Sequence, residues 1–461
     1  MFTPLSKLLS SSHDRETLVA TTPDGVKTFN DLSHEVADIC VRLKEQNIRK
    51  LVLATTSSYA FATGFLAALH ADCRIVVPPN ALPGMLAHFV GKDCPLLSDI
   101  EGAGGDHQIL IDGSKGAITD FKELDPDRSY LDFYTSGSTG TPKRVPKTLS
   151  QIENELVVLD ERWGRELEGA ATLGTVSHQH IFGLYFKLLL PLCEGRLFFS
   201  QTFEIWEELL AVAPPAACFV SSPAHLTRIP PFDPLPAEEM APVIFTAGGP
   251  LPFEAAEDAR AKFGPLPTEV FGSTETGGVA HRQQEQQRTP FTPLPGMQTR
   301  IDAQGLLSVK SNYTDGKDWD TTNDIVERLD DGSFILMGRA NQFVKIEGKR
   351  ISLAEVEKYL AQSDLVAETA VFILKEEQET LVAVVELSPA GWQRHQEIGA
   401  FRLGRALRRD LSPNLENAAL PKRWRFVKRI PINAQGKRQQ PALNELFAGP
   451  GRSELNYPDH D

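Results

Sequence analysis

Short apolar runs alternate with amphipathic stretches over the first 340 residues of the chain. Residues 51–55, 59–70 and 74–78 predict a strand, a helix and a second strand, because apolar runs of strand length flank a longer helical pattern. Further strands are predicted at residues 172–176, 196–199, 217–220, 243–246 and 268–271, with helices at residues 181–192 and 253–263. This alternation predicts an α/β fold with several layers and mostly parallel strands.

The pattern changes after about residue 340. Ser352 and Glu355 have the spacing of a capping box, which predicts the start of a helix after a strand at residues 343–346. The rest of this part predicts a hairpin at residues 369–374 and 380–387, a basic helix at 399–411 and a last strand at 423–430. We therefore expect a large domain over residues 1–340 and a small α+β domain over residues 341–461.

Size and composition narrow the class of protein. A chain of 461 residues is expected to form two or three domains, and its net charge of −14 argues against a general nucleic-acid binder. The five cysteines are scattered and lack CxxC spacing, which predicts reduced thiols and no zinc site. Neither an apolar run of about 18 residues nor an apolar signal-peptide core is present, so we expect a cytoplasmic protein without a membrane span.

The charge is unevenly distributed. Residues 401–440, here called the basic segment, carry eleven Lys or Arg residues against two acidic ones, a net charge of +9 that leaves −23 on the other 421 residues. Such asymmetry indicates a partner of opposite sign or a solvated basic face, and both interpretations stay open.

A loop rich in Ser, Thr and Gly occupies residues 135–142 and ends at Lys143. It follows an apolar, strand-like approach and offers hydroxyls and unobstructed backbone N–H groups, which suit a polyphosphate. It is not a Walker loop, because Pro142 precedes the lysine and Arg144 follows it. An ordinary solvated loop is the alternative.

Residues 134–143 resemble the phosphate loop of the adenylate-forming superfamily, which includes acyl-CoA and aryl-CoA synthetases. Arg144 departs from the usual glycine. The resemblance implies that Lys143 neutralises phosphate charge. It also implies that the loop binds ATP through Thr135, Ser136, Gly137, Ser138, Thr139 and Gly140.

Two glycine turns extend the resemblance. Residues 271–278 resemble the aromatic-Gly-x-Thr-Glu motif, which implies that Phe271 stacks on adenine, Thr274 contacts the α-phosphate and Glu275 helps to hold Mg²⁺. Gly248 and Gly249 resemble the small-residue turn beside the adenine, and a plain tight turn is the alternative.

The later motifs resemble the ribose site, the hinge and the catalytic lysine of the superfamily. Asp324, preceded by Asn323 where glycine is usual, would accept hydrogen bonds from the ribose hydroxyls, and Arg339 would also reach the ribose. Residues 338–357 imply a hinge near Asn341, and Gly348 would lie where the pantetheine arm passes. Lys437, in residues 431–437, would bridge the substrate carboxylate and the α-phosphate.

Residues 176–183 resemble the acyl-pocket segment. The resemblance implies a substrate pocket formed by His178, His180, Phe182 and Gly277. Amino-acid-activating relatives place an aspartate in this segment, whereas residues 172–193 contain no Asp or Glu, which counts against an amino-acid substrate. For at least one of the two histidines, a purely structural role is the alternative.

The resemblance implies an ATP- and Mg²⁺-dependent enzyme that converts a carboxylic acid to acyl-AMP and transfers it to the thiol of CoA or of a phosphopantetheine carrier. The basic segment would hold CoA or dock an acidic acyl carrier protein. The chain is similar to ligases of bacterial aryl polyene pigment clusters, which favours an aryl acid such as a hydroxybenzoate. The alternatives are a short- or medium-chain acyl-CoA synthetase, another adenylating enzyme, or a non-catalytic adenylate-binding protein.

Overall fold

The computed structural model describes residues 2–11, 13–117, 120–128, 130–135, 143–314, 318–340, 343–346, 349–375, 380–415, 417–432, 438–448 and 454–455. The strands are β1 Leu18–Thr22, β2 Gly25–Thr28, β3 Lys50–Leu53, β4 Arg74–Val77, β5 Leu96–Ser98, β6 Gln108–Leu110, β7 Tyr130–Thr135, β8 Lys143–Thr148, β9 Thr172–Gly174, β10 Phe198–Phe199, β11 Cys218–Ser221, β12 Ile244–Thr246, β13 Thr268–Ser273, β14 Gly277–Gln283, β15 Thr292–Pro293, β16 Gln298–Ile301, β17 Leu306–Lys310, β18 Asp320–Arg328, β19 Phe334–Arg339, β20 Phe343–Ile346, β21 Lys349–Ser352, β22 Val366–Leu374, β23 Thr380–Leu387, β24 Arg423–Val427 and β25 Glu454–Leu455.

The helices are α1 Phe29–Glu45, α2 Ser58–His70, α3 Pro83–Leu86, α4 Leu149–Trp163, α5 Ile181–Gly183, α6 Leu190–Glu194, α7 Trp206–Val212, α8 Pro223–Leu226, α9 Phe253–Phe263, α10 Leu353–Leu360, α11 Pro389–Leu411 and α12 Gln440–Glu445. A π-helical turn, Leu184–Leu189, joins α5 to α6, so the helix predicted at residues 181–192 is present with a widened middle. Among the residues described, no helix combines the length and the apolar character that crossing a bilayer requires.

The large domain contains two mostly parallel sheets. A nine-stranded sheet has the order β15-β14-β13-β12-β11-β9-β10-β1-β2, and a six-stranded sheet has the order β6-β5-β3-β4-β7-β8. Antiparallel pairs occur in the nine-stranded sheet only at its two edges, and in the six-stranded sheet only between β7 and β8. The predicted α/β class with mostly parallel strands is therefore confirmed.

The two sheets meet where their parallel strands end. The backbone N–H of Ser58, just beyond the six-stranded sheet, donates to the carbonyl of Ser200, which follows β10 of the other sheet. Loops at the carboxyl ends of strands β7, β12 and β13 carry the predicted phosphate, adenine and metal residues. Open α/β sheets bind ligands at this edge.

A third sheet, with the order β16-β17-β18-β19, is antiparallel throughout. The alternating pattern did not predict it, because strands joined by short turns need no intervening helix and give no α/β signal. It matters for function because β18 and β19 carry the two residues expected at the ribose.

The C-terminal part forms its own small α+β unit. Strands β22 to β25 make one sheet, and β20 pairs with β21. The hairpin predicted within residues 369–387 is present, with Leu374 opposite Thr380. The buried apolar residues of this part form clusters that share no member with those of residues 5–334. Separate cores are the physical basis of a small second domain.

Candidate active site

The phosphate loop leaves the edge of the six-stranded sheet as a hairpin. Thr135 ends β7 and lies opposite Lys143, the first residue of β8. The loop residues between them, Ser136, Gly137, Ser138, Thr139 and Gly140, lie outside the described residues. The two ends of the predicted phosphate loop are thus held side by side by the β7–β8 pair.

Arg144, the departure from the usual glycine, has a structural explanation. Its Nε donates to Oδ1 of Asp132 at 2.8 Å, and Arg74 donates to both oxygens of the same carboxylate at 2.6 and 2.8 Å. Burial favours the neutral acid, but the two guanidinium groups outweigh it and hold the pKa of Asp132 below its ordinary value. Arg144 therefore ties β8 to β7 behind the loop.

Lys143 and Glu275 meet although they come from different sheets. Glu275 lies in the turn between β13 and β14, and its Oε1 is 2.8 Å from Lys143 Nζ. Burial alone would raise the pKa of Glu275, but the hydrogen bond and charge of Lys143 and a backbone N–H lower it overall. The carboxylate is therefore ionised at neutral pH and chemically suited to Mg²⁺, which prefers one or two carboxylates together with phosphate oxygens.

The adenine residues occupy the ends of neighbouring strands. Phe271 is half-buried, with its ring 5.6 Å from that of Phe291 and 5.8 Å from that of Phe334. Thr274 lies in the turn that follows. Gly248 has φ +92°, a conformation that explains its identity as a turn residue, and a Cβ on Gly248 or Gly249 would meet only open space. Open space beside these strand ends is compatible with the adenine site that the resemblance implies.

Asp324 and Arg339 are register partners on β18 and β19. Arg339 Nε lies 3.4 Å from Asp324 Oδ1. Burial raises the pKa of Asp324, and the charge of Arg339 partly opposes that shift. The structure thus brings together the two residues that the resemblance places at the ribose.

The surroundings of His178 favour the structural alternative over the pocket role. Its side chain is buried, with Nε2 3.0 Å from Thr55 Oγ1 and Nδ1 3.0 Å from Ser58 Oγ. The Thr55 hydroxyl already donates to the Ser57 carbonyl, so it accepts from His178 Nε2–H and Ser58 donates to Nδ1. Burial, aided by the charge of Lys187, lowers the pKa of His178 to about 3. His178 is a neutral structural histidine that joins the two sheets.

The remaining pocket residues fall into two groups. His180 is exposed at the start of α5, and Phe182 is half-buried with its ring 5.1 Å from that of Phe186. Gly277 instead faces Glu155: a Cβ at this position would clash with the Glu155 carboxylate. The close approach of this carboxylate explains why position 277 is glycine, and the pocket role stays a prediction.

Lys437, Gly348 and the hinge residue Asn341 lie outside the described residues, so their roles stay predictions. Conversely, the structure identifies two residues near the site that the sequence analysis missed, Lys147 and Glu155. The signal for Glu155 was present: it interrupts the apolar face of α4 made by Ile152, Leu156 and Leu159. A carboxylate in the apolar stripe of a helix is rarely buried without a specific partner.

Comparisons with known proteins identify the family of the chain. Residues 9–316 match the AMP-binding enzyme family, and residues 355–437 match the AMP-binding enzyme C-terminal domain. A 4-coumarate–CoA ligase of Rhodobacter capsulatus is 26% identical over 312 residues, covering 66% of this chain and 73% of the relative. A D-alanine–D-alanyl carrier protein ligase of Staphylococcus aureus is 22% identical, covering 92% of this chain and 94% of the relative.

The fold is also that of a solved ligase. The o-succinylbenzoate CoA synthetase of Bacillus subtilis, in complex with its acyl-adenylate intermediate, superposes with a TM-score of 0.79 at 19% identity, covering 96% of this chain and 98% of the other. The family match spans more than half of the chain and includes the phosphate loop, the Phe271–Glu275 turn and both glycines after β12. This chain belongs to the AMP-binding enzyme family and is an AMP-forming ligase of the adenylate-forming type.

Proposed function

We propose that the protein joins an aryl carboxylic acid to a phosphopantetheine thiol at the expense of ATP. In the first step an oxygen of the carboxylate attacks the α-phosphorus, the bond to the bridging oxygen breaks, and pyrophosphate leaves. In the second step the thiol sulfur attacks the acyl carbon, AMP leaves, and the thiol proton passes to solvent. The observation that carries the proposal is the 2.8 Å contact between Lys143 and Glu275. The sequence motifs had assigned Lys143 to the phosphates and Glu275 to the metal independently of each other.

The residues of the site would neutralise and orient charge. Bound Mg²⁺ supplies electrostatic stabilisation of the phosphate oxygens, and Glu275 would be its carboxylate ligand. Lys143 would offset the charge on the phosphates, which an anionic carboxylate must approach. Asp324 would hold the ribose, and Thr274 would donate to the α-phosphate. Lys437 would bridge the carboxylate and the α-phosphate, as the resemblance implies.

An aryl acid is favoured by the surroundings of Phe182. Phe182 contacts Phe186, whose ring lies 4.6 Å from Phe245 and 5.9 Å from Trp163. Phe186, Phe245 and Trp163 belong to the buried core, so the half-buried ring of Phe182 is the part of this cluster that could contact a flat, apolar acyl group. The 4-coumarate–CoA ligase of R. capsulatus supports the same class of acid. A hydroxybenzoate is the acid we favour, in keeping with the similarity to aryl polyene ligases.

An acidic acyl carrier protein is the acceptor we favour. The outer face of α11 presents exposed Arg402 and Arg405 beside Phe401, whose side chain is 76% exposed. Complementary charge would steer an acidic carrier to this face, and the phenyl ring would supply an apolar anchor. The carrier protein ligase of S. aureus, which aligns over nearly the whole chain, supports a protein-bound thiol.

Delivery of that thiol would require the small domain, residues 341–461, to rotate about a hinge near Asn341. Rotation would withdraw Lys437 after adenylation and bring Gly348 to the thiol channel, a hinge-type change of the kind known for domain closure.

The Lys437→Ala variant should lose acid-dependent exchange of pyrophosphate into ATP but keep thioester formation from supplied acyl-AMP. Loss of both half-reactions would contradict the division of roles.

The decisive experiment is ATP–pyrophosphate exchange with benzoates, cinnamates, fatty acids and amino acids. We expect exchange with hydroxybenzoates, followed by transfer to a holo carrier protein in preference to free CoA. Exchange with fatty acids alone would replace the aryl proposal with an acyl-CoA synthetase. Tight Mg·ATP binding without exchange for any acid would contradict catalysis and favour an adenylate-binding protein.

A further inference from the structure

Strand β8 contacts the turn that carries Glu275. Lys143, Val145 and Lys147 lie on the same face of β8, because side chains two residues apart share a face of a strand. Lys143 Nζ contacts the Glu275 carboxylate at 2.8 Å, and Lys147 Nζ donates to the Glu275 carbonyl at 3.4 Å. One face of β8 thus contacts both the side chain and the backbone of the metal residue.

The helix that follows β8 provides a third contact with the same turn. Glu155, on the buried face of α4, accepts a hydrogen bond from the backbone N–H of Gly278 at 2.7 Å. The positive φ of Gly277, +69°, and its missing side chain let the carboxylate approach this closely. Tyr313 holds the other side of the turn, its hydroxyl donating to the Gly278 carbonyl at 2.8 Å.

Lys147 and Glu155 are both almost wholly buried, with 3% and 4% of their surface exposed. Burial raises the pKa of Glu155 overall, although the charge of Lys147, the Gly278 N–H and the Tyr185 hydroxyl oppose the shift. The carboxylate of Glu155 also interacts with the buried hydroxyl of Tyr185. Burying an ionisable carboxylate costs stability even where it has partners, so an apolar residue would serve a purely structural role better.

We propose that Lys147 and Glu155 are positioning residues for adenylation, which hold the Glu275–Gly278 turn so that Glu275 presents its carboxylate to Mg²⁺ beside Lys143. The inference rests on the proposed function, since it assigns Glu275 to the metal. The pair connects the two halves of the phosphate site: a shift of β8 moves Lys143 and, through Lys147 and Glu155, also moves Glu275. The charge repulsion of ATP makes the relative placement of these groups important for binding.

The test compares Glu155→Gln, Lys147→Met and their double variant with Glu153→Gln as the matched control. Glu153 lies on the same helix, is also partly buried, and accepts a hydrogen bond from a backbone N–H, that of Ser6, far from the turn in sequence. Mg·ATP binding is measured by calorimetry without acid, so that no reaction occurs, together with the half-saturating Mg²⁺ concentration and thermal unfolding.

We expect Glu155→Gln and Lys147→Met each to weaken Mg·ATP binding about 10- to 100-fold, the range for residues that orient a metal ligand. The double variant removes both buried ionisable groups and should recover thermal stability but not Mg·ATP affinity, because the donor to the Glu275 carbonyl is still missing. Glu153→Gln should bind Mg·ATP like the wild type.

Three results would overturn the inference: affinities of both single variants within twofold of wild type, a loss matched by Glu153→Gln, or full recovery of affinity in the double variant. If Glu155→Gln does not fold, Lys147→Met decides the test, because it replaces a buried cation with an apolar side chain of similar length. Failure of the wild type to bind Mg·ATP would instead overturn the proposed function and this inference with it.

Discussion

Lys143 and Glu275 form an ion pair of 2.8 Å between two different sheets, at the mouth of the predicted ATP site. Both side chains are well exposed, at 64% and 44%. An exposed pair contributes little to folding, so either residue can be replaced with little effect on the stability of the fold. Binding of Mg·ATP would separate the pair, because Lys143 would then contact the phosphates and Glu275 would contact Mg²⁺.

The variants Lys143→Met and Glu275→Gln should lower kcat/KM for ATP–pyrophosphate exchange on the order of 10²-fold, because each removes a charge aimed at the phosphates. Their free energy of unfolding should change by less than about 1 kcal/mol. Lys7→Met is the matched control, since it breaks another exposed pair, with Glu123, at 3.3 Å. Exchange kinetics unchanged from wild type would remove these residues from the catalytic site.

Gly277→Ala should destabilise the protein, because the new methyl group would meet Glu155 at a residue with φ +69°. The control is Gly195→Ala, at φ +68° with no neighbour within 4 Å of the added Cβ. It should cost only the backbone strain, about 1 kcal/mol. Chemical denaturation measures both. The double variant with Glu155→Ala should lose less stability than the two single losses summed, and strict additivity would argue against the contact.

Lys187 should make stability depend on pH. Its side chain is fully buried, Nζ donates to Thr202 Oγ1 at 2.7 Å, and burial lowers the pKa of its ammonium to about 7. The unfolded chain binds the proton more tightly, so the buried charge destabilises the fold below pH 7, and this cost falls by about 1.4 kcal/mol per pH unit as the pH rises above 7 toward the unfolded pKa.

Lys187→Met should therefore unfold at a higher temperature than wild type at pH 6, and the gain should shrink toward pH 10. Thermal unfolding across this range measures the effect, with the exposed Lys92→Met as control. A gain that grows with pH, or one that Lys92→Met reproduces, would contradict the buried-charge explanation.

Arg402→Glu combined with Arg405→Glu should raise KM for an acidic holo carrier protein several-fold and leave pyrophosphate exchange unchanged. Arg394→Glu is the control: Arg394 lies in the part of α11 before the break at Gly399 and is paired with Glu397. Arg408 is unsuitable for this test, because its guanidinium donates to the Leu420 and Pro421 carbonyls and to Asn417. An unchanged KM would return the basic segment to the solvated-face interpretation.

The basic segment shows what can and cannot be inferred from composition. Its eleven cations were countable from the sequence, but the structure divides them. Arg408, Arg423 and Arg425 donate to backbone carbonyls within the small domain, and Arg438 pairs with Glu357 and Glu368. Only part of the counted charge is therefore available to a partner, and a net charge cannot reveal that division.

Local patterns determined the class of fold and the order of the motifs. Helix α9 was predicted over residues 253–263 with both ends correct. The spacing of its apolar residues and the Pro and Gly that flank it are local features of the sequence. The phosphate loop and the Phe271–Glu275 turn were recognisable for the same reason: each motif is a short run whose chemistry does not depend on distant residues.

The tertiary structure alone decided which of these runs meet. Glu155 lies against Gly277 and Gly278 across more than 120 residues of chain, and His178 is locked by Thr55 and Ser58 across a similar separation. A pattern of polar and apolar residues carries no information about distances between segments. It could name Lys143 and Glu275 as separate candidates, but only the packing of two sheets could place them 2.8 Å apart above a buried Lys147 and Glu155.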